Sequence, residues 1–366
     1  MKYLLYIFIF LFIGCGTSSY TTDTNNTEIN TTEVNSTATQ IVAGPIKEPL
    51  YYQQWAIEYN KSFYDDNYID PNANIHQNGY LDSYGATGVK IAVIDDGLDM
   101  NHEDIKIYRS YSIINNDSNV SPITGDEDYH GTAVTGIIGA RRNEKGVLGI
   151  AYNSDIIFLQ MKSYVTDSDM IELFEKAKEY GAEVINCSWG TYDVTDAIKS
   201  EIQDLAINGR DGKGIIIVFA VGNEDKNLDD PDINDESEIP EVIAVGATDS
   251  ENVRAGYSNY GSALDVMAPG GYYYGITTTD ISGSDGYSVD NYDRYDDKNA
   301  FAGTSAAAPI VTGVIALMLE RNPNLTREDI MDIIHNKSDK IGNVEYTDGR
   351  NDYYGYGKVN VNNYIQ

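Results

Sequence analysis

Three side chains in this sequence could perform nucleophilic chemistry together, one with a carboxylate, one with an imidazole and one with a hydroxyl. They are Asp95, His130 and Ser305. A serine hydroxyl attacks a carbonyl carbon when a neutral imidazole takes its proton, and a carboxylate bound to the other ring nitrogen fixes the tautomer and stabilises the imidazolium. Of the four histidines in the chain, His130 is the one that opens a stretch of small residues. The sequence therefore predicts a serine nucleophile, with His130 as its base and Asp95 as the acid that orients the base.

The acid and the nucleophile are predicted to lie at the ends of secondary-structure elements. Asp95 follows the apolar run 89–94, so it lies at the carboxyl end of a buried strand, where open α/β sheets carry functional groups. Ser305 opens an apolar helix, in which Pro309 lies in the first turn. A proline costs little there because its missing N–H would have no helical partner, and the amino end of a helix favours developing negative charge. Both positions are typical of a catalytic site.

The rest of the chain alternates between predicted strands and helices, which indicates a doubly wound α/β fold with a mostly parallel sheet flanked by helices. Apolar runs predict the strands, and amphipathic periods or end signals predict the helices. The predicted strands are 155–161, 183–187, 214–220 and 241–247, and the predicted helices are 168–180, 195–207, 305–320 and 326–335. Asn223 follows the strand 214–220, where its side-chain amide can donate to an oxyanion.

The segments that carry these residues resemble the signatures of the subtilisin-like serine proteases, in the order of that family. The matching motifs are Asp95-Asp96-Gly97, His130-Gly131-Thr132, Ala220-Val221-Gly222-Asn223 and Gly303-Thr304-Ser305-Ala306-Ala307-Ala308-Pro309. The resemblance covers residues 48–365 and leans towards the kexin-like branch. It implies hydrolysis of protein or peptide substrates through an acyl-enzyme, with Asp95, His130, Ser305 and Asn223 as catalytic residues. It also makes residues 355–360 similar to the family's terminal strand, and we expect no P-domain after it.

The resemblance also implies a set of residues that bind substrate. They are Asp96, Glu127, Ser188, Trp189, Gly190 and Asp193. In the family, the Ser-Trp-Gly segment pairs with the substrate backbone, and the three carboxylates match positions that hold basic side chains in kexin-like enzymes. The alternative for Trp189 is a core or rim aromatic. Against a basic preference, Tyr192 replaces an acidic residue, and in a chain with 57 acidic residues an acidic rim is also compatible with chance.

Three further pieces resemble the family's strong calcium site, and the ligands implied are Glu48, Asp104, Asn143 and Val147. Calcium prefers carboxylate, amide and carbonyl oxygens, which these residues supply. Each piece is equally compatible with an ordinary turn. We therefore expect a structural Ca²⁺, with ordinary turns as the alternative.

The segment 272–302 has 31 residues, six of them tyrosines, and lies just before the nucleophile motif. Long loops inside a compact domain are usually functional or mobile. Part of this segment also resembles the kexin-like branch. We expect it to form the rim of the substrate cleft, and a passive solvated insertion is the alternative.

Length and charge limit the classes of function. The 366 residues provide about 320 residues for one large α/β domain, and the net charge of −32 argues against nucleic acid or an anionic membrane face as a partner. The acidity favours solubility or, as an alternative, the attraction of basic peptides. We expect a monomer.

The amino-terminal residues predict export and anchoring. Residues 1–15 contain a short apolar run with one positive charge that ends at Cys15, which is typical of a secretory signal and resembles a bacterial lipoprotein box. Lipidation of Cys15 would anchor the chain in the cell envelope, and Gly16 favours the outer membrane, facing the periplasm or the cell surface. The alternative is simple cleavage and release. Phe12 departs from the usual leucine.

Residues 16–45 are rich in Thr and Asn and predict a disordered tether, which leaves residues 46–366 as the peptidase domain. The tether is too short and too polar to be the folded prodomain that the family usually carries. A separate folding helper is therefore an alternative to self-assisted folding.

Two other classes of function are alternatives. An inactive subtilase-like module for surface binding or adhesion would suit the acidic, tyrosine-rich segment, but all four catalytic positions are filled. A serine hydrolase of another fold is disfavoured because its Gly-x-Ser-x-Gly turn is missing and its triad order differs.

Overall fold

The computed structural model describes residues 45–123, 129–162 and 164–365. The predicted signal peptide with Cys15, nearly all of the predicted tether and the proposed substrate residue Glu127 lie outside these ranges.

Seven parallel strands form one sheet in the order β2-β3-β1-β4-β5-β6-β7. The strands are β1 (Lys90–Asp95), β2 (Ile107–Ser112), β3 (Asp155–Gln160), β4 (Val184–Cys187), β5 (Ile216–Ala220), β6 (Ile243–Thr248) and β7 (Val266–Pro269). A small antiparallel pair, β8 (Thr278–Thr279) and β9 (Tyr292–Asp293), lies within the 272–302 segment. The predicted doubly wound α/β fold is confirmed.

Helices cover both faces of the sheet because successive strand residues point to opposite sides and are apolar on each. In β1, Ile91 and Val93 join one core cluster, while Ala92 and Ile94 join the other. The helices are α1 (Lys61–Asn67), α2 (His130–Gly139), α3 (Asp167–Glu179), α4 (Asp196–Gly212), α5 (Thr304–Arg321), α6 (Arg327–Lys337) and α7 (Val361–Ile365). The first core cluster includes α2 and α5, and the second includes α3 and α4.

Helix α5 forms the centre of the first core. It is buried from Thr304 to Leu319. Among the described residues it is the one helix long and apolar enough to cross a bilayer by length and composition, with a mean hydropathy of 1.2, and 89% of that stretch is buried in the protein. Helix α5 is therefore a core helix. An amphipathic helix would instead lie at the surface with one polar face.

Side-chain caps define the starts of helices α3 and α6. In α3, Thr166 accepts a hydrogen bond from the Asp169 N–H while Asp169 accepts one from the Thr166 N–H, and Thr326 and Asp329 repeat this capping box at the start of α6. These boxes explain why both helix starts were predicted to within a residue.

The predicted terminal strand at 355–360 is wrong. Lys358 forms only isolated bridges, one with Met267 of β7 and one with Asp339, and the chain then enters α7 at Val361. The backbone pairing ends because the chain turns into helix α7. Lys358 therefore pairs with its neighbours at single residues and does not form a strand.

Candidate active site

The carboxyl ends of three adjacent strands create the site. Strands β1, β4 and β5 are neighbours, and they end at Asp95, Cys187 and Ala220. Because parallel strands end at the same edge of a sheet, Asp95, the Ser188 segment and the Asn223 segment meet there. Helices α2 and α5 begin at this edge and carry His130 and Ser305.

Asp95 and His130 form a buried pair. His130 Nδ1 lies 2.8 Å from Asp95 Oδ1, and the two side chains are 2% and 0% exposed. Burial lowers the pKa of His130, but the charge and hydrogen bond of Asp95, together with the charge of Asp96, outweigh this effect and raise the pKa above its ordinary value. The pair therefore has the geometry of a base oriented by an acid.

Asp96 caps helix α2. Its Oδ1 accepts hydrogen bonds from the N–H groups of Gly97 at 2.6 Å and Gly131 at 2.8 Å, and its Oδ2 accepts one from the His130 N–H at 3.3 Å. Burial and the neighbouring Asp95 charge raise the pKa of Asp96 well above its usual range. The structure thus gives this carboxylate backbone partners, and Asp96 places His130 over the end of β1. The contact of Asp96 with a basic substrate side chain, which the resemblance implies, stays a prediction.

The nucleophile lies on the Ser188 segment. Ser305 Oγ donates to the Ser188 carbonyl oxygen at 2.9 Å, and Ser188 Oγ donates to the Ser305 carbonyl oxygen at 3.0 Å. His130 Nε2 is buried and has no hydrogen-bond partner within the described ranges. Ser305 Oγ must therefore turn from the Ser188 carbonyl to His130 Nε2 before it can give up its proton.

Asn223 is held so that its amide nitrogen stays available. Its Oδ1 accepts hydrogen bonds from the N–H and the Oγ1 of Thr304, both at 2.9 Å. Gly303 has a φ of 125°, and a Cβ there would lie 3.2 Å from Asn223 Nδ2, so glycine leaves the amide uncrowded. Nδ2 and the Ser305 N–H, at the start of α5, are then two donors suited to one oxyanion.

Trp189 belongs to the core, which supports the second of its two interpretations. It is 1% exposed, its Nε1 donates to the Ile94 carbonyl oxygen at 2.8 Å, and its ring meets Phe219 edge-on at 5.2 Å. The Trp189 side chain is therefore occupied and does not face the site.

Glu224 is an acidic group beside the site that sequence reasoning missed. Its Oε2 accepts hydrogen bonds from the Asn223 N–H at 3.0 Å, from Asn259 Nδ2 at 3.0 Å and from the Tyr192 hydroxyl. Its Oε1 is buried and accepts no hydrogen bond from the described residues. The signal that could have identified it is its position directly after the oxyanion motif.

A second pair of missed carboxylates lies under the Ser188 segment. Glu236 accepts hydrogen bonds from the Thr191 N–H at 3.0 Å and Thr191 Oγ1 at 2.8 Å. Burial and the Asp235 charge raise the pKa of Glu236 to about 8. A Cβ on Gly190 would lie 2.3 Å from Asp235 Oδ2. Asp193, which the sequence did indicate, is exposed.

The four residues predicted to bind calcium meet around the turn 143–147. The Glu144 N–H donates to Glu48 Oε1 at 3.0 Å, and the Val147 N–H donates to Asp104 Oδ2 at 3.1 Å. Both carboxylates are buried, and Asp104 Oδ1 accepts no hydrogen bond within the described part of the chain. The described residues contain no group of three or more His, Cys, Asp or Glu side chains that could hold a metal ion. Two buried carboxylates with amide and carbonyl oxygens nevertheless fit the donor set of calcium.

Comparisons with known proteins give matches over most of the chain. The Subtilase family model matches residues 86–357. A calcium-dependent protease of Trichormus variabilis is 34% identical over 326 residues, which cover 80% of this chain and 48% of the relative. Subtilisin of Bacillus pumilus is 32% identical over 290 residues, which cover 78% of this chain and 93% of the relative. The chain thus spans about half the length of the calcium-dependent proteases it matches.

Solved structures share the fold. The crystal structure of the Aeromonas sobria serine protease and chaperone complex superposes with a TM-score of 0.73 at 20% identity, covering 88% of this chain and 67% of that one. At this identity the likeness shows the fold alone.

The raised pKa of His130 predicts the pH dependence of Ser305 reactivity. Only neutral His130 can take the serine proton, so the rate at which a sulfonyl fluoride modifies Ser305 should rise with pH, with a midpoint above the ordinary histidine value of about 6.5. Asp95→Asn removes the charge that holds the imidazolium proton, so it should lower both the midpoint and the maximal rate. An unchanged midpoint in Asp95→Asn would contradict this account.

Proposed function

Because the chain belongs to the subtilase family of serine endopeptidases, we propose that it hydrolyses peptide bonds through an acyl-enzyme formed on Ser305. The observation that carries the proposal is the buried Asp95–His130 pair beside Ser305 at the amino end of α5.

The first half of the reaction forms the acyl-enzyme. Ser305 Oγ attacks the scissile carbonyl carbon while His130 Nε2 takes its proton, and Asp95 stabilises the imidazolium that results. The carbonyl oxygen becomes an oxyanion that accepts hydrogen bonds from Asn223 Nδ2 and the Ser305 N–H. His130 then gives its proton to the leaving amine as the C–N bond breaks.

The second half repeats these steps with water. His130 takes a proton from water, the resulting hydroxide attacks the acyl carbon, and the same two donors hold the oxyanion. Ser305 Oγ leaves and recovers its proton from His130. Loss of one oxyanion donor typically costs about 10²–10³ in turnover, so Asn223 contributes on the scale of a principal catalytic group.

We further propose a preference for basic residues before the cut, as in the kexin-like branch that the motifs resemble. The support is the number of carboxylates around the Ser188 segment, above all Glu224 with its unpartnered Oε1 and Asp235 beneath Gly190. A buried acceptor without a partner is costly, and a lysine or arginine side chain of the substrate would satisfy it. Asp193 would add a more exposed charge.

A peptide library tests both the activity and the preference. The wild type should cut after basic residues, and Ser305→Ala should show no cleavage. Glu224→Gln keeps the size of the side chain and replaces its charge, so the ratio of basic to apolar cleavage should fall about tenfold. Asp193→Asn should give a smaller fall because that carboxylate is exposed.

The matched control is Asp232→Asn, an exposed change on the same stretch of chain as Asp235. It should leave the cleavage pattern unchanged. A wild type that prefers apolar residues, with no change in Glu224→Gln, would refute the preference and leave the activity intact. A wild type that binds peptides without cutting them would favour the binding-module alternative.

A bound calcium ion would support the fold at the turn 143–147, and two calcium-dependent proteases are among the relatives. Glu48, Asp104, Asn143 and the Val147 carbonyl would hold it. The ion would compensate the buried charges, since burial raises the pKa of Asp104 by disfavouring its ionised form.

Calcium should raise the thermal midpoint. At free calcium of about 100 times the dissociation constant, the gain is about 2.7 kcal/mol, which corresponds to roughly 5 °C for a domain of this size. Asp104→Asn should remove most of the difference between excess calcium and chelator, and Asp232→Asn should keep it. Equal midpoints of the wild type in calcium and in chelator would exclude the site.

We also propose that Cys15 carries a lipid that anchors the peptidase in the bacterial envelope, facing the periplasm or the cell surface. The support is the short apolar run that ends at Gly14-Cys15. Wild-type protein should incorporate radiolabelled palmitate and partition into detergent, and Cys15→Ala should do neither. A soluble, unlabelled wild type would show cleavage and release instead.

A separate folding helper is part of the same proposal. Its support is that one structural neighbour is a serine protease in a complex with a chaperone.

A further inference from the structure

The 272–302 segment is docked on the helix that carries His130. Thr278 Oγ1 donates to the Ala133 carbonyl oxygen and Thr279 Oγ1 to the Thr132 carbonyl oxygen, both at 2.7 Å. A Cβ on Gly136 would lie 2.1 Å from Thr279 Oγ1, so β8 can lie this close to α2 only because that position is glycine. This contact fixes the base of the segment relative to His130.

Asp280 folds the tip of the segment back towards the site. The carboxylate is fully buried, its Oδ1 accepts a hydrogen bond from the Ile281 N–H at 2.9 Å, and its Oδ2 accepts one from the Ser288 N–H at 2.6 Å. Ser282 adds two hydrogen bonds to Asp99 Oδ2, at 3.0 Å from its N–H and 2.6 Å from its hydroxyl. The backbone on both sides of Tyr287 is therefore held.

Tyr287 completes a row of aromatic rings that ends on the catalytic base. Its ring meets Tyr129 edge-on at 4.5 Å and lies 5.3 Å from the ring of Phe301. Phe301, which is 2% exposed, meets the imidazole of His130 at 5.4 Å and an interplanar angle of 73°. Burial and the charges of Asp96 and Asp95 raise the pKa of Tyr287.

The imidazole depends on these rings for its orientation. Its polar contacts among the described residues are limited to one, the hydrogen bond from Nδ1 to Asp95, and Nε2 has none. One hydrogen bond leaves the ring able to swing about that contact. The ring of Phe301 limits the swing, and the half-buried Tyr287 packs against Phe301.

We propose that Tyr287 is a positioning residue for peptide hydrolysis: it presses Phe301 against His130 and closes the solvent side of the Asp95–His130 pair. The inference rests on the proposed function, because it assigns Tyr287 to the base of that reaction. Small displacements of a catalytic group lower the reaction rate by roughly 10- to 100-fold. Loss of the rings that orient the imidazole should lower the rate on the same scale.

Steady-state kinetics of four variants test the proposal. Tyr287→Ala should lower kcat about tenfold and change KM less than twofold, because the base loses its orientation while the remaining binding surface is kept. Tyr287→Phe keeps the ring and should restore kcat to within twofold of the wild type. Val289→Ala, an exposed change on the same tip, should have no effect.

Tyr287→Leu is the control for unfolding, since it keeps apolar volume at this position but has no aromatic ring. It should melt like the wild type and still show the lowered kcat. A wild-type kcat in the Leu or Ala variant, or an equal loss in the Phe variant, would overturn the proposal. Failure of the proposed function is a separate result, because then the wild type itself would not cleave peptides and Ser305→Ala would not differ from it.

Discussion

The hydrogen bond between Asp95 and His130 is the interaction on which the rest of the site depends. It joins the end of strand β1 to the first residue of α2, and it is buried, so the charge of Asp95 acts on the imidazole with little screening by water. The fold provides what this bond needs. The parallel sheet brings Asp95 beside the Ser188 and Asn223 segments, and Asp96 places the start of α2 over the end of the strand.

Several acidic residues lie around this pair, and they differ in whether their carboxylate oxygens have hydrogen-bond partners. Asp96 is committed to backbone N–H groups, whereas Glu224 keeps one buried oxygen without a partner in the described residues. The first arrangement is satisfied by the backbone, and the second is where we propose that a basic substrate side chain binds. The same reasoning applies to Asp104, whose unpartnered buried oxygen marks the turn where calcium is proposed. Asp95 Oδ2 and Asp293 Oδ1 are also buried without a partner in the described residues, so an unsatisfied oxygen supports a binding role at Glu224 and Asp104 only together with their positions beside the site and at the turn 143–147.

The sequence predicted most of the longer strands and helices, which have a clear apolar or amphipathic pattern, and missed short strands such as β7, β8 and β9. Strand β5 and helix α5 have nearly continuous apolar runs, and β1 has one up to Asp95. These elements were predicted to within about two residues, and with them the positions of Asp95, Asn223 and Ser305. Strands β8 and β9 have two residues each, too few for any periodicity. The burial of Asp235 could not be predicted, because an acidic side chain in an acidic stretch of sequence is expected to be exposed to solvent. The core position of Trp189 was one form of the alternative to a substrate-binding role, since a tryptophan after a strand suits a cleft, a core and a rim equally.

Trapping the acyl-enzyme tests whether Ser305, activated by the Asp95–His130 pair, is the nucleophile. The wild-type protein would be mixed with a p-nitrophenyl ester, quenched in acid within the first turnover and mapped by mass spectrometry of its peptides. We expect to find the acyl group on Ser305. The Asp95→Asn and His130→Ala variants should keep the fold and form the acyl-enzyme far more slowly. Peptide cleavage by a wild type that never carries an acyl group on Ser305, or that carries it on another residue, would contradict the account.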